Sequence, residues 1–559
     1  MIKRVTCGLT CVNNRKMKRN NNNFIHGAIY FLLLVSFFFC TVSLDISAAA
    51  KKKFQPEKIL YIPHDNRPIV LEQTTAILQK VGYEVITPPT ELLGNRENFG
   101  EPEKLWEWLD KNTDKKIRAA VISSDAMLYG SLVASRKHII DQETILNRVD
   151  LFQKFRKDHK KLPIYVFGSI MRTPRNATAS GYEEPDYYRN YGANIFRYTA
   201  LEDKREVEGL TLRESKEIDF LRRLIPARAL SDWKDRHEKN FNANEKLIDL
   251  AKEKNFNVLL LGRDDNAPYS QTHMESRHLK NYSKGIGIEQ ENFQTIAGID
   301  EVGLMLLTRA VNERLKNSPS IFVKYNWGRG GETVPSYSDE TIQETVDAEI
   351  LACGAKKTDE LSQADIIFAV NTPPNGQTFE ASSGMNDKVA RVGTEFFADT
   401  VQDFLDSSKP VVVADVAFAN GSDNALMEML NKRGLLFKLN AYGGWNTATN
   451  SSGFALATGI LSRRMTYNDK KNLLITRYLD DWAYQANVRN IVAGQLKWLR
   501  GDGFYESLND KTYVTADDSA RMLANFIKNN LQTANISEKV TVEFPWNRMF
   551  ESRIIFSVQ

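Results

Sequence analysis

Short apolar runs, each closed by an acidic residue, constrain this chain more than any other feature. ILYI at 59–62 leads into Pro63, His64, Asp65, Asn66, Arg67 and Pro68, and AAVI at 119–122 leads into Ser123, Ser124 and Asp125. VLLL at 258–261 leads into Gly262, Arg263, Asp264, Asp265 and Asn266, while VVVA at 411–414 ends in Asp415. The runs do not alternate polar with apolar, which is the pattern of parallel strands covered by helices on both faces. Where such strands alternate with helices, their carboxyl ends share one edge, and α/β proteins place their chemistry there. The pattern predicts an acid-lined cleft.

Strands are predicted at 59–62, 83–86, 118–122, 163–168, 257–261 and 293–297, then at 320–324, 365–370, 411–414 and 436–440. Amphipathic stretches predict helices at 70–81, 101–111, 143–158, 243–253 and 300–316, then at 339–352, 390–405, 423–433 and 453–463. The fold class is α/β. The strands outnumber those of a simple barrel, and Asn317, Ser318, Pro319 and Ser320 mark a break. Two parallel βα lobes are therefore expected, at 54–316 and 318–465, with the cleft between them. A decorated TIM-like barrel plus a βα lobe is the alternative. Residues 171–242 form a long insertion rich in Tyr, Arg and Glu, of the length that is usually functional or built of its own helices. The region 466–559 reads as mostly helical, with a last strand pair near 539–543 and 553–557.

The first 50 residues are a different kind of segment. Arg15, Lys16, Lys18 and Arg19 precede an apolar run from Ala28 to Leu44, and Ser47, Ala48, Ala49 and Ala50 follow. A basic flank, an apolar centre and a small-residue site read as a secretory signal peptide. An uncleaved membrane anchor over 28–44 is the alternative, because the run almost reaches spanning length. Residues 1–53 hold nine Lys or Arg and one Asp, so the rest carries 65 basic against 69 acidic residues. Without a clustered basic face, no nucleic-acid partner is expected. Cys7, Cys11 and Cys40 lie in the N-terminal region, which leaves Cys353 alone and no intrachain disulfide in a processed chain. Export without disulfides fits a bacterial extracellular or cell-envelope location.

GRDDNAPY at 262–269 carries the strongest chemical signal. Adjacent acids just past a buried strand repel each other, which can hold one protonated while its neighbour stays ionised. Glycoside hydrolysis uses that division of labour, and substrate-assisted glycosidases use a pair in which one acid orients a 2-acetamido group. The bland alternative is an Asp capping the next helix, with Arg263 pairing the other. In IPHDNRP at 62–68, Asp65 is a candidate to position a ligand and Arg67 to clamp it, against an Asx turn pinned by prolines. In SSDAMLYGSLVASR at 123–136, Asp125 leaves a strand and Arg136 follows, with a structural Asp–Arg pair as the alternative. Asp300 and Glu301 open a helix, where acids complement the macrodipole and a structural role for Glu301 is favoured. Asp415 is a strand-end acid, with a helix cap expected at Ser422 or Asp423.

YGGWNTATNSSG at 442–453 offers sugar-binding chemistry, with Trp445 as a flat apolar face and Asn446 and Asn450 as bidentate amides. Tyr182, Tyr187, Tyr188 and Tyr191 crowd the insertion, as aromatics do in carbohydrate clefts. The chain has no G-x-x-x-x-G-K-[ST], no G-x-G-x-x-G after a strand, no G-x-S-x-G and no H-E-x-x-H. No cofactor is implied, although a carboxylate-bound Mg²⁺ or Ca²⁺ at Asp65, Asp264 and Asp265 stays open.

Seven stretches, in order along nearly the whole chain after the N-terminal segment, resemble the bacterial domain-of-unknown-function 4127 family. They are IPHDNRP, SSDAMLYGSLVASR, GRDDNAPY, AGIDEVGLMLLTRA (297–310), DVAFANGSD (415–423), GGWNTATN (443–450) and FPWNRMFE (544–551). The resemblance implies that 54–559 is one functional unit and implies no particular activity.

The residues together lead to an expected function: an exported glycoside hydrolase, with 2-acetamido sugars among its candidate substrates. Asp264 and Asp265 are the expected catalytic pair. Asp65, Arg67, Asp125, Asn266, Asp415 and Asn446 are expected to bind a carbohydrate or other small polar substrate, with Trp445 as the stacking platform. A non-catalytic carbohydrate-binding envelope protein and a divalent-metal-dependent hydrolase are the alternatives.

Overall fold

Val, Ile, Leu and Ala dominate the strands because both faces are covered by helices. The computed structural model describes residues 56–175, 183–500, 507–537 and 539–558, so the signal-peptide or anchor segment and Tyr182 lie outside the described residues. Six strands, Glu57–Ile62 (β1), Tyr83–Ile86 (β2), Ile117–Ser123 (β3), Ile164–Ile170 (β4), Val258–Arg263 (β5) and Phe293–Ala297 (β6), form one all-parallel sheet. Their order is β2-β1-β3-β4-β5-β6.

The chain then lays down Ser320–Tyr325 (β7), Lys356–Thr358 (β8), Ile366–Asn371 (β9), Phe379–Glu380 (β10), Val411–Asp415 (β11), Phe418–Ala419 (β12) and Ala441–Gly443 (β13). Five of these form a second parallel sheet in the order β8-β7-β9-β11-β13, and β10 pairs with β12 beside it. The two sheets are wound alike. In each, the first strand steps outward to the second, and the chain then crosses back to the far side of the first. At such a reversal the connections leave on opposite faces, and a crevice opens beyond the carboxyl ends. Both sheets are open, so no TIM-like barrel forms.

One helix joins the two sheets. All of Ala448–Ser462 is buried, packed on β11 and β13 on one side and on Val302–Arg314 on the other. A helix that is apolar all round belongs inside a protein rather than on its surface. Thr447 caps it by accepting the backbone N–H of Asn450, five residues before the start predicted from sequence, which sets Asn446 at its mouth. The insertion supplies two helices, Tyr188–Val207 and Leu212–Leu224, and the first part of a third, Ala227–Lys252, which runs on without a break through the separate helix predicted at 243–253. Beyond the sheets, Tyr467–Arg477 continues through a wide π-helical stretch, Tyr478–Val488, into Arg489–Arg500. Thr541–Glu543 (β14) and Arg553–Ile555 (β15) close the chain as an antiparallel pair.

Two local expectations differ from the structure. The run predicted as a strand at 436–440 is a turn of 3-10 helix, Leu436–Lys438, and the strand is β13 just after it. Leu436 and Leu439 are buried from that turn, and a short apolar run does not distinguish the two conformations. Strand β8 was not predicted, because an edge strand reading KKT carries no apolar signal. Cys353 is buried and free, and no helix among the described residues is long and apolar enough to cross a membrane.

Candidate functional site

A cleft of about 960 Å³ opens at the carboxyl edge of the first sheet. Asp65 and Arg67 follow β1, Arg172 follows β4, Asp264, Asp265 and Asn266 follow β5, and Asp300 follows β6. Tyr337, Glu380, Asn420 and Asn446 come from the second half of the chain, and Arg489, Trp546 and Arg548 from the C-terminal region. The cleft is therefore ionic, with arginines interleaved among the expected acids.

The paired aspartates owe their position to the end of β5. Gly262 is needed there because a Cβ would come within 2.4 Å of the Gly298 carbonyl oxygen. Arg263 turns away from the pair, to Asp339 at 3.1 Å and to Glu340. The next helix, Gln271–Gly285, is capped by Ser270, so neither aspartate is a cap. Asp265 has φ 42°, a left-handed backbone that an aspartate adopts only where its surroundings enforce it. Here the Asn266 backbone N–H donates to the Tyr337 carbonyl at 3.1 Å, and the Asn266 Oδ1 accepts from Ala267 N and Ser270 Oγ. The Asn266 Nδ2, buried at the cleft wall, has no partner.

Both carboxyls share one guanidinium. Arg172 Nη1 lies 2.6 Å from Asp265 Oδ2 and 3.2 Å from Asp264 Oδ2, and Arg136 Nη2 lies 2.6 Å from the same Asp264 oxygen. Asp264 is thus held by two arginines and Asp265 by one. Burial pushes the Asp265 carboxyl up to about 7, and the negative Asp264 beside it adds to the rise. The Asp265 side chain keeps 28 % of its surface open to the cleft. Behind the pair, Arg172 also meets Glu183 at 2.6 Å and Glu184 at 2.8 Å. Burial opposes ionisation of Glu183, but Arg548, Arg172 and Arg136 together hold it well below the usual carboxylate range.

Arg67 is the centre of a second network. It pairs with Asp65 at 2.9 Å and with Asp300 at 2.6 Å, and Asp300 also accepts from Asn446 Nδ2 at 3.1 Å. Its charge is engaged by two internal acids, so it is a strut between β1 and β6 rather than the free clamp expected from sequence. Burial raises the Asp300 carboxyl to about 6, against the pull of Arg67. Arg67 and Arg548 each lie 5.3 Å from the Trp546 ring, whose indole N–H donates to Asn66 at 2.8 Å. This is cation–π packing that holds the C-terminal segment onto the loop after β1.

Four expectations are corrected. Asp125 is 2 % exposed and sits behind the cleft, accepting from Ser169 Oγ at 3.1 Å, while Arg136 pairs with Asp264 instead. Asp415 is the last residue of β11, where side chains of the second sheet engage it. Asn326 donates to Asn371, Asn371 donates to Asp415, and Tyr442 donates to Asp415 at 2.8 Å, so no ligand space remains there. Trp445 is 5 % exposed and packs on Phe550, so it offers no face to a sugar. Tyr187, Tyr188 and Tyr191 pack among the insertion helices, Tyr188 fully buried against Trp233. The exposed aromatic at the cleft is Tyr337, 40 % open, with its hydroxyl on Glu380.

The residues weighed as a metal site do not fit one. Asp65 is taken by Arg67, and Asp264 and Asp265 by Arg172 and Arg136, so cationic side chains already occupy the carboxylates. Among the described residues no three His, Cys, Asp or Glu converge as ligands.

Sequence reasoning missed Arg172, Glu183, Glu184, Arg489 and Arg548, and it placed Asp300 at a helix start without assigning it to the site. The rule that selected Asp65 and Asp264 also covers Asp300, an acid just past β6. Arg172 also stands just past a strand, β4, but is no acid, and Glu183, Glu184, Arg489 and Arg548 follow no strand-end pattern. Fold and site together define a doubly wound, two-sheet α/β protein with a charged cleft. The chain belongs to the family described as protein of unknown function (DUF4127), whose model matches residues 59–555. No curated protein matches it.

Proposed function

We propose that this cleft is the active site of a glycoside hydrolase, with Asp265 as the acid/base and Asp264 as its oriented partner. What supports the reading is two adjacent carboxyls on one guanidinium in unequal surroundings: Asp264 fixed by two arginines, Asp265 on one and open to the cleft. A carboxyl that titrates near neutrality gives up a proton to a leaving oxygen and recovers it from water. On a 2-acetamido sugar, the acetamide oxygen attacks the anomeric carbon while Asp265 protonates the departing oxygen. Water then opens the cyclic intermediate and returns its proton to Asp265, with Asp264 positioning the acetamide N–H. Tyr337, exposed at the cleft, is the stacking face. The proposed location is outside the cytoplasm, on the strength of the basic, apolar and small-residue segment at the N-terminus.

The test is incubation of the protein with a panel of chromogenic glycosides, 2-acetamido sugars included, with and without EDTA. Release that persists in EDTA is expected. Release abolished by EDTA and restored by a divalent cation would replace this reading with metal-dependent hydrolysis, and binding without release would replace it with a carbohydrate-binding role.

A further inference from the structure

The arginines of the cleft are not equivalent. Arg67, Arg136, Arg172 and Arg548 are all buried or nearly so, and each meets at least two carboxylates. Arg175 has no carboxylate either, but it is exposed at the rim, where water solvates it. Arg489 differs from both kinds. It lines the cleft with 3 % of its surface exposed, and its Nε and Nη1, themselves shielded from solvent, have no hydrogen-bond partner among the described residues. Its contacts are the Asn420 carbonyl, 3.3 Å from Nη2, and the Phe550 ring at 5.2 Å. The cleft acid from the second half of the chain is committed elsewhere, since Glu380 accepts from Tyr337 and from Asn420 Nδ2.

A guanidinium does not shed its proton in a protein. Burying one without an opposite charge is costly, and a carbonyl with an aromatic edge compensates only part of that cost. A fold that pairs four cleft arginines internally and leaves the fifth buried one without an opposite charge among the described residues has kept a cationic site at the cleft wall for something absent from the chain itself. We infer that the ligand of this cleft is a sugar bearing a monoanionic group, a carboxylate or a sulfate ester, received by Arg489. One guanidinium without an internal counter-charge matches one negative charge. The main-chain turn that presents Arg489 is itself unusual, since the residue follows directly on the π-helical stretch Tyr478–Val488, a geometry frequent at functional sites.

The inference rests on the reading that a sugar occupies this cleft, and a binding measurement separates the two. Calorimetry would compare methyl glucuronide with methyl glucoside, methyl galacturonide with methyl galactoside, and N-acetylglucosamine 6-sulfate with N-acetylglucosamine. At least one acidic member is expected to bind about tenfold or more tighter than its neutral counterpart, the sulfate pair deciding between ester and carboxylate. Arg489→Gln is expected to erase that preference without lowering the melting temperature, and Arg489→Lys to keep part of it. Acid-selective binding without turnover would sink the hydrolase reading and leave this inference standing. It is overturned if no acidic sugar is preferred, if Arg489→Gln keeps the preference, or if that variant loses as much thermal stability as Arg172→Gln, which would make Arg489 a structural strut.

Discussion

Asp265→Asn is expected to lower turnover by about 10²- to 10⁴-fold, the range for loss of a positioned acid/base, while the fold is retained. The amide keeps the shape and the Arg172 contact through its oxygen, and it loses only the transferable proton. Asparagine also accepts the left-handed backbone at this position at least as readily as aspartate. The wild-type pH dependence carries the same signature. Because burial and Asp264 raise the Asp265 carboxyl to about 7, the protonated form is present below that pH and disappears above it. The rate of the proton-donating step is therefore expected to fall about tenfold per pH unit on the alkaline side, with a residual rate in Asp265→Asn that lacks this limb. The linked effect on stability has a definite sign. The folded protein holds this proton more tightly than the unfolded chain, so the Asp265 contribution favours folding at low pH and is lost as pH rises from about 4 to about 7. Asp265→Asn should therefore flatten the decline in stability across that window, as measured by urea unfolding at a series of pH values.

Arg172→Gln is expected to cost about 3–5 kcal/mol of folding stability at neutral pH, the scale for removing one partner of a buried charge cluster. Its guanidinium contacts Glu183, Glu184, Asp264 and Asp265, and no other side chain touches all four. Arg136 and Arg548 remain, but they reach only part of that set. The carboxyls left behind bind protons more readily, so the deficit should shrink as pH is lowered toward 5. Equilibrium urea unfolding at pH 5 and pH 7.5 checks both the size and the direction. A deficit under about 1 kcal/mol at neutral pH, the scale of an exposed pair, would mean that the cluster is solvated rather than buried.

The two predictions also mark what the sequence reveals of this site. Asp264, Asp265, Asp65 and Asn266 were legible because each stands just past an apolar run, and parallel topology fixes where such positions go. Arg172 was not legible. Its role depends on Glu183 and Glu184 returning from the start of the insertion, and on β4 lying beside β5, neither of which leaves a local periodic trace. Arg489 and Arg548 reach the cleft from more than two hundred residues beyond Asp265, Arg489 within a stretch read from sequence only as helical and Arg548 between the two strands predicted to close the chain. Asp415 and Trp445 show the opposite failure. Both satisfy the local rule, but the second sheet packs its own crevice with Asn326, Asn371 and Tyr442, and the helix from Ala448 turns the tryptophan inward. The presence and most limits of the principal strands were readable because two-sided burial writes itself as continuous apolar runs. The polar edge strand β8 and the turn at Leu436–Lys438 fall where that signal is absent or ambiguous.

The central claim is that burial and the neighbouring Asp264 raise the Asp265 carboxyl, which is open to the cleft, so that it exchanges its proton near neutral pH. Carbon-13 NMR of protein labelled at the aspartate side-chain carboxyl, titrated from pH 3 to pH 9 with Asp265→Asn to assign the resonance, tests this without knowledge of the substrate. A midpoint near 7 that moves upward in Arg172→Gln is the expected result. A midpoint near 4, unchanged by loss of Arg172, would make Asp265 an ordinary solvated acid and contradict its role as the acid/base.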